Sequence, residues 1–404
     1  MMYDIIVIGG GPAGMLAAGT AAGRGKSALL IEKNEKLGKK LYITGKGRCN
    51  LTNFCDCEEF IGHVPRNPRF LYSALYAFPP SALYEMLEEL GVPLKIERGR
   101  RVFPQSDKAS DIIKALAAYL KNTGAHIRLN TSITGLEREE GVFLIKAGEE
   151  TFSSRKVVLA TGGLSYPATG STGEGMSFAQ KLGHEIIKCR PALTSLLVRD
   201  DNLSALAGVS LKNVELCASF KGREIFRERG EMLFTHTGIS GPLVLTLSSV
   251  LDCPEQSDIY IDLKPAVSLE ELDGRIIKEL AGASGKLLRN SLSGLLLSAL
   301  REPVLCRAGI ERDVLANQLN KGGRRSLAAA IKRFELKCTG RGGFDEAVIT
   351  RGGINVRQVN PADMQSKITP GLYFAGEILD VDAFTGGYNL QIAFSTGRLA
   401  GESV

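Results

Sequence analysis

Three glycines stand close to the start of the chain at the spacing G-x-G-x-x-G, in Gly9-Gly10-Gly11-Pro12-Ala13-Gly14. That spacing suits a phosphate-bearing ligand. Gly9 permits a tight turn, Gly11 lets backbone approach a pyrophosphate, and Gly14 brings a helix against a strand, while Pro12 and Ala13 open a helix whose N-terminus faces the anion. The context agrees: residues 4–8 are an apolar, β-branched run, 12–24 read as a small-residue helix and 28–31 as a second apolar run, which is a βαβ opening. The second run ends at Glu32, eighteen residues after Gly14, where a carboxylate binds ribose hydroxyls and disfavours a 2'-phosphate. Lys33 beside it is a further candidate contact. A dinucleotide is implied, and NADP at this site is disfavoured.

The other end of the chain repeats the theme. Residues 370–377 form a turn, a short apolar strand and an acid, and Gly386-Gly387-Tyr388-Asn389 open a helix over 390–400. Two distant glycine-rich ends gathered into one domain suit a long ligand. This stretch resembles the second flavin motif of two-dinucleotide-type flavoproteins, and the resemblance implies FAD, with Gly376 and Glu377 at the ribityl chain and Glu377 in place of the usual Asp. The helix opening at Gly387, Tyr388 and Asn389 then directs its partial positive charge at the flavin N1/C2=O edge. Between the two ends, residues 156–163 run as a strand into Thr161-Gly162-Gly163 and resemble the motif that bridges flavin and substrate domains in the same superfamily. Residues 39–53 are a basic, glycine-containing loop, expected to wrap pyrophosphate and flavin through Lys40, Gly47, Arg48, Cys49 and Asn50. Arg48 suits a substrate carboxylate equally well.

Candidate proton donors are His236, Tyr166 and Tyr388. His236 precedes a helix expected to be capped by Ser240 and opened by Pro242, and the two tyrosines adjoin flavin motifs. The eight cysteines include no C-x-x-C and no C-x-x-x-x-C, which excludes disulfide-reductase chemistry. Cys49, Cys55 and Cys57 lack neighbouring histidines, so no metal is expected. There is no Ser/His/Asp signature and no H-E-x-x-H.

Taken in order, residues 45–53 (GKGRCNLTN), 233–242 (LFTHTGISGP) and 350–353 (TRGG), followed by Gly376-Glu377 through Gln391, resemble one bacterial flavoprotein family. It is the family of NAD(P)/FAD-dependent oxidoreductases and aminoacetone oxidases, which includes a bile-acid-inducible flavoprotein. The resemblance implies reduction of a conjugated C=C bond in a 3-oxo steroid or bile-acid intermediate. Because only one nucleotide fingerprint is present, NAD(P)H is expected as a transient electron donor. The alternative within the family is aminoacetone oxidation with release of hydrogen peroxide. A remoter alternative is an RNA-modifying FAD protein, since residues 301–345 carry ten Lys/Arg against five Asp/Glu. The absence of Trp, with Phe334 the lone aromatic near the basic cluster, argues against nucleic-acid readout.

The elements that must position these groups follow from texture. Helices are expected over 81–90 and 111–120, and strands over 127–129, 142–145 and 157–160. Short strands at 195–198, 214–220 and 259–263 suggest a small β domain, and Leu-rich stretches such as 292–300 a helical subdomain. The fold class is therefore α/β: a Rossmann-like two-dinucleotide-type FAD domain in two parts (1–190 and 339–404), interrupted by an inserted domain (191–265), which the family resemblance makes β-barrel-like, and a helical subdomain (266–338). With 404 residues, 44% apolar and 23% charged, the chain has the composition of a globular protein rather than a disordered or fibrous one. No apolar run reaches membrane-spanning length and no signal-peptide pattern is present. The reading is cytoplasmic, with a small-molecule substrate, no membrane partner and the oligomeric state left open.

Overall fold

Four short runs of Ile, Val, Leu and Phe pair in parallel and are buried on both faces, which is why they read as continuous apolar stretches. They are Ala28–Ile31, Met2–Ile8, the second half of Glu150–Leu159, and Leu372–Phe374. Ile8 pairs with Ile31 on one side and Leu159 on the other, and Leu159 pairs with Phe374. Ile31, Ile8, Leu159 and Phe374 thus form one row across the sheet, and the chain leaves that row at Glu32, Gly9, Ala160 and Ala375. This carboxyl edge is where open α/β sheets bind ligands.

His126–Arg128 extends the sheet in parallel beyond Ala28–Ile31. The first half of the long strand Glu150–Leu159 instead pairs antiparallel with Val142–Ala147, which pairs with Gly135–Glu139. The helix Pro12–Gly23 lies against the C-terminal helix Tyr388–Glu402. Small residues make that approach close: a Cβ on Gly397 would fall 2.3 Å from the Ala13 carbonyl oxygen, and one on Gly401 2.5 Å from that of Ala17. A three-stranded antiparallel sheet, ordered Thr52–Asn53, Arg101–Pro104, Leu94–Glu97, and the pair Ile186–Ala192 with Ile349–Ile354 complete this part.

The structure, a computed structural model, describes residues 2–283 and 285–404. Two units result: Met1–Ala192 with Phe344–Val404, and Leu193–Gly343. Each has its own apolar core. The second unit holds a seven-stranded antiparallel sheet ordered Phe334–Leu336, Ser257–Asp262, Ser210–Phe220, Arg223–Phe234, Gly238–Ser240, Leu196–Val198, Cys338–Arg341. Its two edge strands are separated in the chain by Lys337 alone, so the sheet curls toward closure. Helix Lys321–Lys332 packs on it, and helices Leu269–Ala281, begun by a Ser268/Glu271 capping box, and Ser298–Arg307 pack against that helix.

Some elements differ from the sequence reading. The helix expected across 292–300 starts only at Ser298, because Asn290, Ser291 and Gly294 hold the preceding leucines in turns, with Leu292, Leu295 and Leu296 buried. The cap of helix Pro242–Val250 is Gly241 at φ +99°, not Ser240, which is spent in the strand Gly238–Ser240. The strand Arg223–Phe234 was unread because its outward residues are charged.

Candidate functional site

The carboxyl edge opens into one cleft, and the backbone around it is shaped for a ligand. Gly9 sits at φ +112°, and a Cβ there would meet the Ala160 carbonyl oxygen at 2.4 Å; a Cβ on Gly14 would meet Gly9 O at 1.8 Å. Both glycines are required by the fold. Gly11 is different: its φ of −79° suits any residue, and a Cβ there meets nothing within 4 Å. The glycine at 11 keeps space open on the cleft, as close approach of a ligand demands. Thr161, also on the cleft wall, buries an Oγ1 with no hydrogen-bond partner among the described residues. An open cradle, an orphaned hydroxyl and two helix starts fit a pyrophosphate-linked dinucleotide.

At one end of the cleft the Glu32 carboxylate accepts three N–H bonds, from Gly10 N (2.6 Å), Asn34 N (2.8 Å) and Asn34 Nδ2 (2.7 Å). Lys33 Nζ donates to Thr172 Oγ1 (2.7 Å) and to both oxygens of Glu174 (3.0 Å each). At the other end Glu377 accepts from Lys40 Nζ (2.5 Å), Ser165 Oγ (2.7 Å) and Thr350 N (3.0 Å). Lys40 also donates to Ser165 Oγ at 2.6 Å. Gly9, Gly11, Pro12 and Ala13 from the first motif, Thr161 and Gly162 from the middle one, and Gly376, Glu377 and Asn389 from the last all line this cleft with Glu32, Lys33 and Lys40. The Asn389 side chain is meanwhile bound to Ala383 N (2.9 Å) and Ala383 O (2.8 Å), bracing the loop before the C-terminal helix.

The rest of the basic loop stands elsewhere. Gly47, Arg48, Cys49 and Asn50 do not line the cleft. The Arg48 guanidinium lies 4.2 Å over the Phe103 ring and binds Asp107 (2.7 Å) and Glu97 (2.5 Å), bracing a hairpin. Cys49 is fully buried, and burial pushes its thiol up to about 12. Asn50, with its amide turned to satisfy both partners, accepts from Gly387 N (3.0 Å) and donates to Thr52 O (3.3 Å). Gly387 is needed for packing: its φ is +102°, and a Cβ would fall 2.4 Å from the Thr52 backbone.

Neither tyrosine among the three proposed proton donors lines the cleft. Tyr388 is buried, stacked on His63 (4.5 Å between centroids) with Phe60 edge-on at 5.0 Å, and burial raises its phenol well above the usual value. It is absent from the cleft wall, as is Tyr166, whose N–H bonds to Phe344 O. His236 belongs to the second unit, exposed in a turn closed by Thr235 N–H to Gly238 O. Sequence reading missed Asn34 and the segment 169–174 as cleft residues, whereas Thr44 lies within the basic loop expected there. The segment carried a signal, the small, glycine-rich run TGSTGE just beyond Thr161-Gly162-Gly163.

The HI0933-like protein Rossmann domain matches residues 3–403. The chain belongs to that family. It is 31% identical to the 3-dehydro-bile acid Δ(4,6)-reductase of Clostridium scindens, over 100% of this chain and 99% of the relative. It is equally 31% identical to the ribosomal RNA dihydrouridine synthase of Escherichia coli, over 98% of this chain and 96% of the relative. The 3-ketosteroid Δ1-dehydrogenase of Sterolibacterium denitrificans shares the fold at 15% identity, with a TM-score of 0.53 and 99% of each chain covered. The protein is an FAD-dependent oxidoreductase of Rossmann type. Among the described residues no helix is long and apolar enough to cross a membrane.

Proposed function

We propose that this oxidoreductase adds hydrogen across a C=C bond conjugated to a carbonyl, first of all in a 3-oxo steroid or bile-acid intermediate, with electrons from NAD(P)H. The observation that carries the reading is the end-to-end match to relatives whose names describe that kind of bond. A Δ(4,6) bond in a 3-dehydro bile acid and the uracil bond reduced to make dihydrouridine are both conjugated to a carbonyl. FAD, when bound, supplies hydride transfer between donor and acceptor. The chain's residues hold and orient: Gly9 to Ala13 receive the pyrophosphate, Glu32 the ribose hydroxyls, and Thr161 a polar edge of the cofactor. Lys40, fixed by Glu377 and Ser165, has a third N–H for a ligand at its end of the cleft.

The equal identity to a dihydrouridine synthase favours a second substrate, uracil within ribosomal RNA. Against it stands the state of the basic segment. Arg324 is paired with Asp273, Lys332 with Asp262, and Arg333 with Asp258 and Glu335, so much of that charge is already neutralised. The test is anaerobic. Pre-reduced protein is mixed with 3-oxo-Δ4,6 bile acids, with uridine-containing ribosomal RNA, or, in its oxidised form, with aminoacetone. Flavin reoxidation by the bile acid supports the first reading and reoxidation by RNA the second. Bleaching by aminoacetone, with peroxide on admitting air, overturns both in favour of an amine oxidase.

A further inference from the structure

We propose that Thr169–Glu174 is a strap across the phosphate-binding turn and that Lys33, holding Thr172 and Glu174, is the clasp that sets how fast FAD leaves. Topology carries the first half. In the sheet, Met2–Ile8 lies between Ala28–Ile31 and Glu150–Leu159, so the turn at Gly9 emerges between Glu32 and Ala160. The strap reaches the Ala160 side at Ser171, whose Oγ would be 3.1 Å from a Cβ on Gly162. It is pinned on the Glu32 side, where Asn34 Nδ2 donates to Thr169 O (3.0 Å) and a Cβ on Gly170 would meet Asn34 Nδ2 at 2.7 Å and Lys33 Cε at 3.1 Å. It thus touches both flanks of the Gly9–Ala13 turn, and every residue from Thr169 to Glu174 lines the same cleft as that turn.

The clasp is the part that can open. Lys33 is 23% exposed and Glu174 48%, so water and salt reach the pair, whereas the Asn34 contacts and the sheet behind them are held by packing. A cofactor whose pyrophosphate lies on Gly11 is then enclosed between the turn and the strap, and its exit requires Lys33 to release Glu174 and Thr172. Lys33 and Glu174 act as positioning residues. The inference rests on the FAD assignment.

The experiment follows free-FAD fluorescence after dilution of the FAD-loaded protein. Lys33→Met and Glu174→Gln are each expected to speed release about fivefold, the size of a half-exposed ion pair, and the double variant no further, because both open one clasp. Raising the salt concentration is expected to speed release from the wild type and to leave both variants unchanged. Slower release from Glu174→Gln would show instead that Lys33 is an FAD ligand restrained by Glu174, and would overturn the proposal. Unchanged rates in both variants would overturn it as well. A wild-type protein that holds no FAD would overturn the cofactor assignment, and the clasp with it.

Discussion

At position 11 a side chain enters open cleft, while at position 387 it runs into the backbone of Thr52. The two glycines therefore answer to different forces, one to the ligand and one to the fold. Gly11→Val is expected to leave the stability of the FAD-free protein within about 0.5 kcal/mol of wild type, since no protein atom is displaced, yet to weaken FAD binding at least about tenfold by filling the cradle. Gly387→Val is expected to cost about 2–3 kcal/mol in the FAD-free protein, from a positive φ and a clash with backbone. Thermal melts without FAD, followed by FAD titration, check both. A Gly11→Val protein that melts early without FAD would move that glycine into the structural class. The glycine motif was legible in the sequence because the chemistry fixes its spacing. The Lys40–Glu377 pair, separated by 337 positions, was not: each residue was read as a cofactor contact, and nothing in either motif indicates that they bind each other. Their side chains are 21% and 13% exposed, so a double-mutant cycle of Lys40→Met with Glu377→Gln is expected to show a coupling of about 1–2 kcal/mol in stability. Additive effects would mean that the pair contributes nothing beyond its separate contacts.

At the scale of elements, the strap is anchored by the helix that follows it. Helix Glu174–Lys181 ends against His184, which is buried, with Nδ1 3.1 Å from Ala179 O, Nε2 2.7 Å from Ser366 Oγ, and Phe374 edge-on at 4.9 Å. Burial lowers the imidazole below its ordinary 6.5. The folded chain thus takes up the proton less readily than the unfolded one, so the contribution of His184 is complete above about pH 6.5 and is lost as pH falls through the lowered value. The difference in Tm between wild type and His184→Gln is expected to shrink between pH 7 and pH 5. A constant difference would place the acid sensitivity in other groups. This helix and its buried histidine were poorly legible, because burial of a lone histidine is decided by tertiary contacts. The parallel strands were easy to read, since double burial leaves an unbroken apolar run. The strand Arg223–Phe234 was hidden for the opposite reason. Its outward Arg227 and Arg229 bind Glu215 on the neighbouring strand at 2.6 and 3.0 Å, so its alternation is one of charge with few apolar residues, and single-strand periodicity has little to detect.

For the whole molecule, the decisive fact is that, among the described residues, those lining the cofactor cleft all belong to the unit Met1–Ala192 with Phe344–Val404. The two segments already meet at the interruption: Ile186–Ala192 pairs antiparallel with Ile349–Ile354, with Ala192 opposite Ile349. Four residues lie between Phe344 and Ile349, five steps that reach at most about 18 Å when extended, so a flexible linker of roughly six Gly and Ser residues can join Ala192 to Phe344. Among the described residues, the apolar core on that side contains none from Leu193–Gly343. A chain with Leu193–Gly343 replaced by such a linker is therefore expected to fold, to bind FAD within about tenfold of the intact protein, and to show the yellow flavin spectrum. It is expected to lose turnover of the substrate identified anaerobically, if substrate recognition resides in the second unit. Flavin titration and circular dichroism read the first outcome, and steady-state assay the second. An insoluble or colourless product would show that the second unit is needed to complete the flavin domain, in spite of the separate cores. Full activity in the shortened chain would place the substrate site wholly within the flavin domain and leave His236 without a part in the reaction.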